Sequence, residues 1–135
     1  MTDHFSPALS DDELFAMGVL GFAHVGDAVY ELLFRTWLCQ NGRTTAQKLH
    51  RETVKRVCAP AQARAAKKLL PALSEEELAV YKRGRNAKVN SVPKNAALAD
   101  YHAATGLETL FGWLWLQGKK NRISELFELI VSEEN

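Results

Sequence analysis

The 135-residue chain has no uninterrupted apolar run of the roughly eighteen residues that a membrane span needs. Its longest apolar stretch, Val19–Leu38, is broken by Asp27, Glu31 and Arg35, so no membrane association is expected. The opening MTDHFSPALSDDEL is acidic and lacks a basic segment followed by an apolar one, so nothing in it directs export. Cysteine is scarce: Cys39 and Cys58 have neither C-x-x-C spacing nor the density of a disulfide framework. They read as reduced thiols in a cytoplasmic protein. There is no P-loop, no GxGxxG fingerprint, and no local signature of a Ser-His-Asp or Cys-His nucleophile, which sets aside the best-marked nucleotide-binding and covalent-catalysis classes. Alternating strand patterns, internal repeats and low-complexity segments are also lacking. What remains is an all-α fold.

The length supports one domain over residues 1–135, with 1–9 expected as a poorly ordered tail. Apolar residues at 47% and charged ones at 24% are ordinary for a globular chain. The net charge of +1 conceals a split. Residues 43–99 hold thirteen of the seventeen basic side chains and four acids, whereas the flanks hold four basics and twelve acids. That division suggests a surface for a polyanion set against carboxylates that are available for a metal. A solvated charged helix face explains the charges equally simply.

Helix signals follow one another along the chain. Ser10 with Glu13 forms a capping box before Leu14, and a short helix ends near Gly18. The Val19–Leu38 stretch is apolar on most faces and reads as the central buried helix, stopping at Asn41-Gly42 with a left-handed residue. Thr44 or Thr45 starts a helix with Leu49, Val54, Val57 and Cys58 inward. Pro60 suits the first turn of the next, which Pro71 closes. Ser74 and Glu77 form a second capping box for a helix reaching about Arg83. Lys82 to Asn95 then reads as a long loop. Helix resumes near Ala96, with a break expected at Thr105-Gly106, and Lys119–Ser132 makes a last amphipathic helix.

Two carboxylates stand out. Asp27 lies in VLGFAHVGDAVYELLF, where an ionised side chain needs a cation, backbone donors or a metal. Gly26 beside it forgoes about 1 kcal/mol of helix propensity, which suggests close approach by another backbone or a ligand. Glu108 repeats the pattern in GLETLFGWLWL, between Gly106 and Gly112. If the two helices pack together the acids meet, and they then need a shared proton or cation. Oxygen-only ligands suit Mg²⁺, with Mn²⁺ substituting, better than zinc. A packing Gly beside a capping Asp, and a Glu108 ion pair with a Lys or Arg, explain the same residues without a metal. Glu31 is expected to bridge to Arg35, and His24 to be a hydrogen-bonded core residue. His102 and Asp100 are candidates to support the second acidic helix.

The Lys82–Asn95 segment spaces Lys82, Arg83, Arg85, Lys88 and Lys94 as cations, with Asn86, Asn90 and Asn95 as neutral donors. Phosphates and 2′-hydroxyls of duplex RNA match such a set, and no aromatic residue is interleaved for stacking on single strands.

HVGDAVYE around Asp27, the RGRNAKV…PKNA segment and YHAATGLETLFGWLWL around Glu108 together resemble Mini-ribonuclease III, the small bacterial branch of the ribonuclease III family without the double-stranded-RNA-binding domain. The resemblance runs from about residue 10 to the end, with the three blocks in order. It implies the helical bundle of a ribonuclease III endonuclease domain, a homodimer, and Mg²⁺-dependent cleavage of double-stranded RNA that matures 23S ribosomal RNA precursor. A ribosomal protein is a candidate partner. The resemblance also puts Asp27 in the place of the catalytic aspartate and Glu108 in that of the metal-binding glutamate. Larger ribonucleases III carry a Glu where this chain has Ala23 and an Asp where it has Thr105, which thins the acidic shell. The rival reading is a non-catalytic helical protein for RNA binding or ribosome assembly, with structural acids.

Overall fold

The computed structural model describes residues 2–42, 44–87, 97–132 and 134. Among these are seven α-helices and no strand: α1 (Asp11–Ala16), α2 (Val19–Asn41), α3 (Ala46–Val57), α4 (Ala59–Leu69), α5 (Glu75–Arg85), α6 (Leu98–Leu116) and α7 (Lys120–Val131). A 3₁₀ turn, Leu70–Ala72, closes α4 at Pro71. The starts are where the side chains require them. Ser10 and Ser74 each accept from the backbone N–H of the glutamate three residues on, and that glutamate accepts from the serine N–H, completing both capping boxes. Thr45 caps α3 in the simpler way, accepting from the Lys48 N–H.

The central helix is α6 rather than α2. Leu107, Leu110, Phe111 and Leu114 are wholly inaccessible, because α6 packs against α2, α4, α5 and α7. In contrast, α2 buries Phe22, Val29, Tyr30 and Phe34 but turns Leu20, His24, Asp27, Ala28 and Leu32 outward. An apolar sequence on nearly every turn thus gave two different outcomes for the two helices. The expected break at Thr105-Gly106 is absent, since both residues are buried inside a continuous α6. Gly106 is needed for contact instead: an added Cβ would sit 2.8 Å from the Tyr81 carbonyl oxygen of α5. At the end of α2 no left-handed residue appears. Gly42 is extended at φ −157°, and the Asn41 side chain caps backward by donating to the Trp37 carbonyl. In α3 the inward register falls on Thr53, whose hydroxyl donates to the Leu49 carbonyl, while Val54 is exposed.

The segment from Lys82 is the largest correction. Lys82, Arg83, Gly84 and Arg85 continue α5, and Asn86 is its C-cap. Basic residues in a last helical turn complement the negative end of the helix dipole, so these cations extend the helix. Gly84 faces Thr109 of α6 so closely that a Cβ would overlap the Thr109 side chain. A buried glutamate ties α5 to α7: Glu77 accepts from Arg122 Nε and an Arg122 terminal nitrogen, both at 2.8 Å.

The closest crossing is between α2 and α6. A Cβ on Gly26 would overlap the Glu108 carbonyl oxygen, and one on Gly112 would overlap that of Phe22. Backbone thus lies on backbone at this point. Gly26→Ala or Gly112→Ala is expected to cost more than the ~1–3 kcal/mol of ordinary overpacking, because main chain cannot rotate away. The melting temperature should fall by roughly 5 °C or more. Gly21→Ala is the control, since its Cβ meets only the flexible Met17 side chain, and it should melt at or above the wild-type temperature. Equal melting of all three variants would show that the crossing tolerates a methyl group.

Candidate active site

The two glycines that let α2 and α6 touch also determine where their carboxylates lie. Asp27 follows Gly26, and the Glu108 backbone lies against Gly26 itself, so the side chains emerge side by side from opposite helices. Asp27 sits on the exposed face of α2, whereas Glu108 is half-buried. The two come within sharing distance of a proton. Burial, and after it the Asp27 charge, pushes the Glu108 carboxyl up to about 8 from an ordinary 4.5. One interaction opposes that rise: the Gln62 amide N–H donates to Glu108 Oε2 at 3.2 Å. Among the described residues no Lys or Arg hydrogen-bonds to Glu108, so a structural ion pair does not account for it.

Two further side chains at the site had no claim on attention in the sequence. Gln62 is 2% exposed, and its Nε2 also donates to the Val57 carbonyl at 2.9 Å. Its signal is positional: with Ala65, Ala66 and Leu69 it forms the buried stripe of α4, and it is the one polar member. Tyr30, one turn beyond Asp27, is 1% exposed with a hydroxyl that has no hydrogen-bond partner. Burial and the neighbouring Glu108 and Glu134 charges raise its pKa, so the phenol stays protonated. Beyond Tyr30 opens a cavity of about 490 Å³ lined also by Lys55, Arg56, Arg64, Lys68 and Glu134. Arg56 there is matched by Glu134 at 2.7 Å and Glu52 at 3.1 Å.

The other expected site residues separate. Glu31 pairs with Arg35 at 2.8 Å, as its spacing implied. His24 is exposed, not a core residue, because it lies on the outward face of α2. His102 packs edge-on to Tyr101 and hydrogen-bonds to neither carboxylate; its buried Nδ1 has no partner. Asp100 is in the first turn of α6, two turns from Glu108. Ala23 is buried, and the Thr105 hydroxyl donates to the Tyr101 carbonyl, so neither adds an acidic ligand. Lys82 and Arg83 are exposed on α5, and Arg85 stacks 5.9 Å from the Tyr81 ring centroid. Lys88, Asn90, Lys94 and Asn95 lie outside the described residues.

Among the described residues no three His, Cys, Asp or Glu side chains converge as a metal cage. Two carboxylates, one exposed and one half-buried, remain as an oxygen donor pair. That is the donor set Mg²⁺ tolerates, since it keeps most of its waters and takes one or two carboxylates together with substrate phosphates.

A helical domain with this acidic pair matches known proteins along most of its length. The family model for the ribonuclease III domain matches residues 20–119. Mini-ribonuclease 3 of Clostridium tetani is 41% identical over 89% of this chain and 80% of its own. The Brevibacillus brevis protein of that name is 45% identical over 81% of each. A crystal structure of a Fusobacterium nucleatum protein superposes with a TM-score of 0.83 at 28% identity, covering 93% of this chain and all of that one. The fold and the family match thus define an endoribonuclease of the ribonuclease III type. Within that class, the chain belongs to the Mini-ribonuclease 3 family.

A pH dependence follows from Glu108. Its carboxyl titrates higher in the folded than in the unfolded chain, so its contribution to stability is full below about 4.5 and is lost as pH rises through about 8. With divalent cations chelated, the wild-type melting temperature should therefore fall across this range relative to that of Glu108→Gln. Thermal melts of both proteins over the range check this; parallel curves would mean that Glu108 titrates normally.

Proposed function

We propose that this endoribonuclease cuts double-stranded RNA with Mg²⁺, Mn²⁺ substituting, at Asp27 and Glu108, and that its substrate is 23S ribosomal RNA precursor. The observation that carries this is the pairing of an exposed and a half-buried carboxylate whose hydrogen-bond donor, among the described residues, is a neutral amide rather than a cation. A half-buried acid held against a second carboxylate, with its ionisation suppressed and no cation beside it, is costly in a protein that only binds RNA. A divalent cation between these carboxylates would lower the pKa of a bound water and offset charge developing on the scissile phosphate. The protein supplies the rest. Asp27 reaches solvent and meets the substrate side, while Glu108 is held from behind by Gln62. Tyr30, protonated beside them, offers a buried donor.

The basic turn of α5 supports a role in steadying the duplex. Gly84 packs on Thr109, the residue after Glu108, so the last turn of α5, which carries Lys82, Arg83 and Arg85, meets α6 one residue from the acidic pair. None of these cations pairs with Glu77, whose partner is Arg122. Arg83 and Arg85 are therefore proposed to hold phosphates, and Asn86, Lys88, Lys94 and Asn95 are proposed as further substrate-binding residues. Asp27→Asn should abolish cleavage while its affinity for duplex RNA stays near wild type, because the loss falls on the chemical step. Arg83→Ala with Arg85→Ala should do the reverse, weakening binding for all duplex sequences and flattening its salt dependence. One binding titration beside one cleavage assay reads both; wild-type turnover by a folded Asp27→Asn protein would remove Asp27 from the chemical step.

A homodimer completes the proposal, since two strands need two sites and a two-fold axis supplies them. Leu20 and Leu32 on the outward face of α2, with Phe15 and Leu98 nearby in sequence to α2 and α6, leave large apolar side chains exposed. Sedimentation equilibrium at micromolar concentration should give twice the 15.1 kDa chain mass. An active species at the single-chain mass would rule out this arrangement. A ribosomal protein that presents the precursor remains a candidate partner.

A further inference from the structure

Gln62 occupies a place that packing alone would give to an apolar residue. It stands in line with Ala65, Ala66 and Leu69 on the buried face of α4, and it is 2% exposed. Its amide reaches two acceptors from one nitrogen: Nε2 donates to the Val57 carbonyl at 2.9 Å and to Glu108 Oε2 at 3.2 Å. The other end of the amide is left over, for Oε1 is buried with no hydrogen-bond partner. A buried acceptor without a donor is unfavourable, and native proteins rarely retain one without a reason.

The orientation of the amide is determined by its surroundings. Val57 is the last residue of α3, so its carbonyl has no intrahelical partner and takes the Gln62 N–H instead. Rotating the amide by half a turn would place Oε1 against that carbonyl, an acceptor facing an acceptor. The end of α3 therefore holds the Gln62 N–H toward Glu108. The consequence falls on the carboxylate. With Oε2 engaged by Gln62, Glu108 cannot rotate freely, and its remaining lone pairs are directed by one fixed donor.

We propose that Gln62 is the positioning residue of the acidic pair: anchored on the Val57 carbonyl, its amide N–H orients Glu108 for a divalent cation shared with Asp27. This rests on the reading of Asp27 and Glu108 as a cation site. Groups behind a metal ligand act in this way generally, and removing one weakens metal affinity by about 10–100-fold. The alternative role is a purely structural one, in which Gln62 caps α3 and its contact with Glu108 is incidental.

Direct Mn²⁺ binding to the full-length protein, followed by the electron paramagnetic resonance of free Mn²⁺, separates these. Wild type, Asp27→Asn, Gln62→Met and Gln62→Asn are compared without RNA, alongside thermal melts. Methionine keeps the length of the side chain and removes the donor; asparagine keeps the amide and withdraws it from Glu108 by one methylene. Folded Gln62→Met should bind Mn²⁺ about 10–100-fold more weakly, and Gln62→Asn should follow it. If one of them fails to fold, the other decides. Cleavage by either should recover as Mn²⁺ is raised, with KM for duplex RNA unchanged, whereas Asp27→Asn should not recover. Wild-type Mn²⁺ affinity in a folded Gln62 variant, whatever its melting temperature, would make the residue a structural cap and overturn the inference. If wild type binds Mn²⁺ no better than Asp27→Asn does, the cation site itself fails, and the role of Gln62 fails with it.

Discussion

Two helix backbones touch where Gly26 of α2 meets Glu108 and Gly112 of α6, and most of what distinguishes this domain depends on that contact. Neither helix can be moved along the other without losing it, because each glycine lies against a carbonyl of the opposite helix. The contact sets the separation of α2 and α6 at its minimum, and the large side chains on either side fill in around it. Tyr30 stacks edge-on to Phe34 and Phe111 at 5.2 and 5.3 Å, and Phe34 to Phe127 at 4.9 Å. A second, looser version occurs where Gly84 and Gly106 bring α5 onto α6. Small residues here act by letting main chain approach main chain, so their loss of helix propensity is offset by placement.

The electrostatics follow from this geometry. Two carboxylates brought together on a partly desolvated surface repel each other, and burial works against ionisation of Glu108 in the same direction. A protein under selection for stability alone would set a cation side chain between them, and the chain has seventeen to choose from. It uses them elsewhere: Arg122 on Glu77, Arg56 on Glu52 and Glu134, Arg35 on Glu31. Among the described residues the acidic pair is left with one neutral donor, Gln62. Strongly perturbed carboxyl groups of this kind concentrate at functional sites, because the same repulsion that destabilises the empty site favours a cation.

Some of this was legible in the sequence and some was misread for identifiable reasons. The two acids could be found because each interrupts an apolar helix beside glycines, and Gly26 correctly implied a backbone neighbour. Capping boxes at Ser10 and Ser74 and the Glu31–Arg35 bridge were local, and local chemistry decides such features. In Lys82–Arg85, glycine and clustered charge resemble a break and suggest a loop; in the fold Gly84 is a contact residue inside α5. The same error placed a break at Gly106. Gln62 left no trace, since a glutamine among alanines has no meaning until its neighbours across the bundle are known.

The sequence by itself determined the helical class, the helix starts and the presence of two carboxylates with no local partner. It did so because period, capping and charge within a few residues are properties of the chain. Only the tertiary structure decided that α6 and not α2 is the inner helix, although both are apolar on most turns. It decided that Asp27 faces outward while Glu108 is half-buried. And it brought Gln62, 46 residues distant in sequence, onto Glu108. The physical reason is common to all three: burial and pairing belong to surfaces in contact, and which surfaces meet is settled by where two glycines allow two helices to close.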